Sequence, residues 1–263
     1  MIIDVHAHLY TRQGPDVPGF HWELIGLPEG DISGADIARI VRESPIDKMI
    51  LSSGGNDSGP TDVEMRAGNR RIAELARKYP DQFSAYCTVH PLYLDESLEE
   101  MDYTVKELGF VGVGEVCPHV QNFEMDSAVV RTIIEKAVEL DVPLNLHSSE
   151  PEHFHAIAKL AAEYPAARII MAHFGGFRFW RDGIEAIKNC ENVWTDCSAW
   201  VLFTAGAFES TINKIGAARV LFGTDFPICD LEMAAYKLTH SDLSQRQVDL
   251  IAFENAKSLF RLK

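Results

Sequence analysis

The chain has 263 residues, 46% of them hydrophobic and 24% charged, with a formal net charge of −15 at pH 7. That composition excludes a disordered or collagen-like chain, and its acidity disfavours general nucleic-acid binding, which needs clustered Lys and Arg. Five cysteines without a CxxC pair, no basic-then-apolar leader and no apolar run near 18 residues point to a reduced, cytoplasmic protein without a membrane span.

Strand-like apolar runs fall at residues 1–6, 48–53, 83–89, 110–115, 142–147, 168–173, 192–196 and 219–223. Helical periodicity fills most of the gaps, at 62–79, 95–108, 126–140, 152–164, 179–189 and 204–215, with two further helices at 231–237 and 244–260. Residues 11–35 carry three prolines and read as a loop after the first strand, placed as a lid. Strands alternating with helices of 10–15 residues make βαβ units and a parallel sheet. Eight such units predict an α/β fold, a (β/α)8 TIM barrel, as a single domain over 1–263. The rival doubly wound sheet calls for a Gly-rich turn after the first strand, where His-Ala-His stands instead.

Those two imidazoles, His6 and His8, share one side of a strand because side chains alternate with period two. On the same parity Ile2 and Asp4 join them, whereas Ile3, Val5 and Ala7 are expected to face the helices. Paired imidazoles suit Zn2+, Fe2+ or Mn2+. Three more polar residues stand at or just past strand ends: His147 after the fifth, His173 after the sixth and Asp225 after the eighth. A barrel gathers those ends at one mouth, where catalytic groups belong. Arg178, just past His173, is a candidate partner for a substrate carboxylate. His90 at the third strand end and Trp200 in a mouth loop are further substrate-binding candidates. His21, Trp22, His119 and Glu150 also fall in mouth loops. Asp196 ends strand seven and is expected to support the ligands.

In the order and spacing of these motifs the chain resembles the amidohydrolase superfamily, and most closely its amidohydrolase-2 branch of barrel hydrolases and decarboxylases. The likeness runs from Asp4-Val5-His6-Ala7-His8, through Met171-Ala172-His173-Phe174-Gly175-Gly176 and Phe222-Gly223-Thr224-Asp225-Phe226-Pro227, to residues 254–260. The resemblance implies that His6, His8 and His147 ligate the metal. It makes Asp225 a ligand or the general base beside the metal's water, and His173 the group that polarises water or a carbonyl. Glu115, ending strand four, stands where two-metal members place a bridging Lys or Glu. The expected cofactor is one Zn2+, with Mn2+ or Fe2+ as alternatives and a second ion left open through Glu115.

The leading functional expectation is a metal-dependent hydrolase of a small lactone, cyclic amide or ester. It rests on the compact chain, since decarboxylases of the branch tend to be longer. The alternatives are a non-oxidative decarboxylase of a small aromatic or unsaturated acid, and a non-catalytic metal- or ligand-binding barrel. A TatD-like phosphodiesterase is disfavoured by the lack of a basic surface. The expected partners are a small-molecule substrate and, as an open option, further copies of the chain in a homo-oligomer, with no membrane and no general nucleic-acid binding.

Overall fold

The structure, a computed structural model, describes residues 1–10, 34–54 and 61–262. The first half runs β1 (Ile3–Tyr10), α1 (Gly34–Glu43), β2 (Lys48–Gly54), α2 (Asp62–Lys78), β3 (Phe83–Cys87), α3 (Leu94–Lys106), β4 (Gly112–Val116), α4 (Pro118–Gln121) and α5 (Ala128–Glu139). The second half runs β5 (Leu144–Leu146), α6 (Pro151–Glu163), β6 (Ile169–Met171), α7 (Trp180–Ile187), β7 (Val193–Asp196), α8 (Ala207–Ile215), β8 (Val220–Leu221), α9 (Leu231–Thr239), α10 (Gln245–Asp249) and α11 (Asn255–Phe260). The eight strands pair in sequence order, all parallel. The ring closes on itself. Ala7 bridges Phe226, and the N–H groups of Val5 and His8 donate to the carbonyls of Phe222 and Phe226 at 2.9 and 2.7 Å. This is the expected (β/α)8 barrel. No described helix is long and apolar enough to cross a membrane.

The helices form where periodicity and caps agree. In α2 the Thr61 hydroxyl accepts the Glu64 N–H, acidic residues fill the first turn and Arg77 and Lys78 the last, matching the helix dipole. Its Met65, Ile72 and Leu75 are buried. Ser127 caps α5 through the Val130 N–H. Two readings need correction. Helix α1 was not foreseen; its Ile37, Ala38 and Val41 pack into the core, but ten residues opening on Gly34 give too short an apolar period to stand out. The predicted helix over 244–260 is interrupted by a π turn at Leu250–Glu254. That turn lets the Ile251 carbonyl accept the Phe222 N–H at 3.1 Å, tying the last helices to the end of β8.

The main apolar core lies between strands and helices, and a second cluster fills the ring itself. There Ile3 and Val5 meet Ile50, Tyr86, Ile170 and Leu221, with Ala256, Leu259 and Phe260 of α11 packed against them. Each of the Ile, Val, Leu and Phe side chains among them contributes roughly 1.5–3 kcal/mol of transfer free energy. Ile3 and Val5 therefore do not face the helices, as strict alternation predicted. The pairing of β1 with β2 slips between Asp4 and Ala7, and this bulge changes the parity within the strand. Asp4 fills the bulge: its carboxylate accepts the His6 N–H at 3.0 Å, the Thr224 N–H at 3.1 Å and the Thr224 hydroxyl at 2.6 Å. The bulge thus re-aims His6 and His8 while the start of the strand seals the barrel floor.

Candidate metal centre

Six strand ends deliver the site. His6 and His8 come from the bulged end of β1, Glu115 from β4, His147 from just past β5 and Asp196 from the end of β7. His173 sits in a 3-10 turn after β6, and Asp225 lies past β8. Four residues here hold left-handed backbone: His173 (φ 59°), Phe174 (φ 53°), Ala199 (φ 59°) and Asp225 (φ 65°). Such conformations cost about 1–3 kcal/mol each for non-glycine residues and persist only where neighbours hold them. Here the Asp225 N–H donates to the His6 carbonyl at 2.7 Å and the His173 N–H to Asp196 Oδ1 at 3.2 Å.

Glu115 is the hub. Its Oε2 lies 3.6 Å from both His6 Nε2 and His8 Nε2. Its Oε1 lies 2.8 Å from His147 Nδ1 and 3.2 Å from His173 Nε2. Asp225 Oδ1 completes the cluster, 3.1 Å from His8 Nε2 and 3.8 Å from His6 Nε2. The far sides of the rings are held too. His6 Nδ1 is 3.0 Å from Asp196 Oδ2, His8 Nδ1 is 2.8 Å from Ser52 Oγ, and His173 Nδ1 is 2.7 Å from Ser198 Oγ.

The donor set fits a divalent cation. His6 Nε2 is fully buried with no hydrogen-bond partner, aimed between two carboxylates. Ligand atoms bound at about 2.0–2.2 Å around one ion stand roughly 3.0–3.6 Å apart, close to the separations seen here. His6, His8 and Asp225 form one such group, His6, Glu115 and His173 a second, and Glu115, Cys117 and His147 a third. The electrostatics agree. Burial would depress the His6 imidazole, but Asp196 and Glu115 outweigh it and hold it well above its ordinary value. Burial would raise the Glu115 and Asp196 carboxyls; instead the facing imidazoles, chiefly His6, hold Glu115 well below its usual range and Asp196 at about 2. The protein alone balances two buried carboxylates with ring protons, a role a cation can take over.

The structure brings His6, His8, His147, His173, Glu115 and Asp225 together. The other candidates touch local neighbours instead. Arg178 is exposed, its guanidinium 6.0 Å from the Phe179 ring. Trp200 is 57% exposed and leans on Phe203 with ring centroids 5.8 Å apart. His90 is buried, with Nδ1 accepting the Leu92 N–H at 3.3 Å and its ring edge-on to Tyr93. His21 and Trp22 lie outside the described residues, as does the side chain of His119. Sequence reasoning passed over Ser52 and Ser198. Their signal was their place near the end of β2 and just past β7, but serine is common in such positions and carries no metal signature.

A family model described as an amidohydrolase matches residues 3–262. The chain belongs to the amidohydrolase family. Among curated proteins, this amidohydrolase is 25% identical to a gamma-resorcylate decarboxylase of Polaromonas sp., over 94% of this chain and 92% of the relative. A gamma-resorcylate decarboxylase of Rhodococcus jostii is 24% identical over the same shares. In fold it resembles a dihydroxybenzoic acid decarboxylase of Polaromonas sp. with bound manganese and 2-nitroresorcinol (TM-score 0.76, 23% identity, 99% of this chain and 97% of that one). A manganese-bound 5-carboxyvanillate decarboxylase of Novosphingobium aromaticivorans gives a TM-score of 0.80 at 19% identity, over 100% and 97% of the two chains.

These relatives overturn the hydrolase expectation. Proteins matched over 92% of their own length are decarboxylases. The alignment spans 313 positions against a chain of 263, so the relatives carry added residues within the shared barrel. Compactness reported on loop length, whereas the chemistry belongs to the strand ends. The zinc expectation likewise gains nothing from the two solved neighbours, which hold manganese.

Proposed function

We propose that this amidohydrolase is a metal-dependent, non-oxidative decarboxylase of a small hydroxylated aromatic acid. The observation that carries this reading is the near full-length match to decarboxylases, joined to a buried multi-His, two-carboxylate cluster at the barrel mouth. The cation we assign is Mn2+, held by His6, His8, His147, Glu115 and Asp225. When bound, such an ion supplies positive charge that orients a substrate carboxylate and an adjacent hydroxyl oxygen.

The reaction needs no oxidant. The bond between ring and carboxylate breaks, its electron pair stays on the ring carbon, a proton takes the vacated place and CO2 leaves. The chain must therefore aim the ring carbon at an acid and keep bulk water out. Asp225 is the group we assign to move that proton, because its Oδ1 stands at the inner face beside His8 Nε2. His173, with Nε2 facing the same centre and its imidazole raised by Glu115 against the effect of burial, donates as an imidazolium to the substrate's anionic oxygen. Arg178, His90 and Trp200 stand as candidate substrate contacts.

The test is a panel of hydroxybenzoates, including 2,6-dihydroxybenzoate and 5-carboxyvanillate, with the Mn2+-loaded protein. Metal-dependent CO2 release from at least one member supports the reading. Release from none, under conditions where the protein is folded and loaded, contradicts it.

A further inference from the structure

The strongest unassigned feature near the centre is the run from β7 into the following loop. Asp196 Oδ1 accepts two backbone N–H groups, from Ser198 at 3.1 Å and from His173 at 3.2 Å. Backbone N–H groups only donate, so Oδ1 is an acceptor whatever the rest of the carboxyl does. The Ser198 hydroxyl also contacts Oδ1, and it must therefore be the donor in that contact. A hydroxyl has one hydrogen. Having given it to Asp196, Ser198 Oγ can only accept at its other contacts, His173 Nδ1 at 2.7 Å and, more weakly, His6 Nδ1 at 3.3 Å. His173 Nδ1 consequently carries a proton, and Nε2 is the nitrogen turned to the centre.

We propose that Ser198 is a positioning residue that fixes the tautomer and ring direction of His173, presenting Nε2 to the reacting groups. Asp196 works on both flanks of the site at once, through Ser198 to His173 and directly to His6 Nδ1 at 3.0 Å. The backbone agrees with this arrangement. His173 sits at φ 59° with its N–H on Asp196, so Ser198 and Asp196 hold ring and main chain from the same side. Both Ser198 and Asp196 are fully buried, which shields the relay from competing water. The inference leans on the decarboxylase reading only for what His173 does with Nε2; the tautomer assignment stands without it.

The test is 15N-histidine NMR on the Zn2+-loaded protein, Zn2+ being used because it is diamagnetic, with His173 assigned through His173→Gln. The wild type should show a slowly exchanging proton on His173 Nδ1. Ser198→Ala should lose that protection or shift the proton to the other nitrogen, and Ser198→Thr, which keeps the hydroxyl, should restore it. With a turned-over substrate, Ser198→Ala should lower kcat about 10–100-fold with KM changed less than threefold, as is typical when a partner orienting an active-site imidazole is lost. An unprotonated Nδ1 in the wild type overturns the proposal even if Ser198→Ala fails to fold. So does an unchanged His173 signal in folded Ser198→Ala. Absent decarboxylation in the wild type, with the predicted NMR pattern intact, counts against the activity reading alone.

Discussion

A Cβ added at Gly223 would lie 2.9 Å from the Cβ of His6, and 3.3 Å from those of Asp196 and Ser198. The missing side chain at Gly223, two residues past β8, is what lets β1 and β7 converge. Gly223→Ala must push His6 or its supports aside. We expect a loss of about 1–3 kcal/mol in stability from overpacking, and a larger proportional loss in metal affinity. Thermal melts alongside Mn2+ titration check this. Unchanged metal affinity would show that the close approach is incidental to the site.

Asp196→Asn keeps the shape of the residue but sets an amide against His6. With Oδ1 still taking two backbone N–H groups, the amide nitrogen faces His6 Nδ1 and donates to it. The ring then turns its own proton toward the centre, where a cation must bind. Loss of a partner that orients a ligating histidine typically costs about 10–100-fold in affinity. Isothermal titration with Mn2+ should show a drop of that order, with the far-ultraviolet circular dichroism unchanged.

Metal binding should depend on pH through His6. Its imidazole is held well above the ordinary value in the metal-free protein, where burial is outweighed by Asp196 and Glu115. A raised folded-state value stabilises the metal-free fold fully below the unfolded value of 6.5, and that contribution fades as pH rises through the raised one. The cation displaces the proton, so affinity should rise with pH by up to about tenfold per unit for each proton displaced. Affinities measured at pH 6, 7 and 8 test the sign. A flat profile would mean that His6 is not a ligand.

The barrel and most of the centre were legible in the sequence because both follow from position along strands. Eight alternating units fix the architecture, and a polar residue closing an apolar strand must emerge at the barrel mouth; that places His147 and Asp225 without any structure. The inward direction of Ile3 and Val5 was not legible, because a single bulge at Asp4–Ala7 reverses parity and leaves no mark in composition. Helix α1 escaped because its apolar stripe is short. The central position of Glu115 depends on three other strands bringing imidazoles around it. Ser52 and Ser198 act by hydrogen bonds to ring nitrogens, a role that nothing in a serine's local sequence announces.

Asp225→Asn removes a charge and a proton carrier while keeping the outline of the side chain. Loss of a general acid–base typically lowers the rate about 10²–10⁴-fold. We expect kcat to fall by that order, with the fold intact and part of the metal retained. Steady-state kinetics with metal analysis of the same sample decide it. A metal-loaded variant with near-normal turnover would assign the proton to His173 instead.

The most direct test of decarboxylation is to run the Mn2+-loaded protein on 2,6-dihydroxybenzoate and 5-carboxyvanillate in D2O, counting CO2 and locating deuterium in the product by NMR. The account predicts one CO2 per product, one deuterium on the carbon that bore the carboxylate, and loss of turnover on chelation that added Mn2+ restores. Intact aromatic acids, together with metal-dependent opening of a lactone or cyclic amide by the same sample, would contradict it.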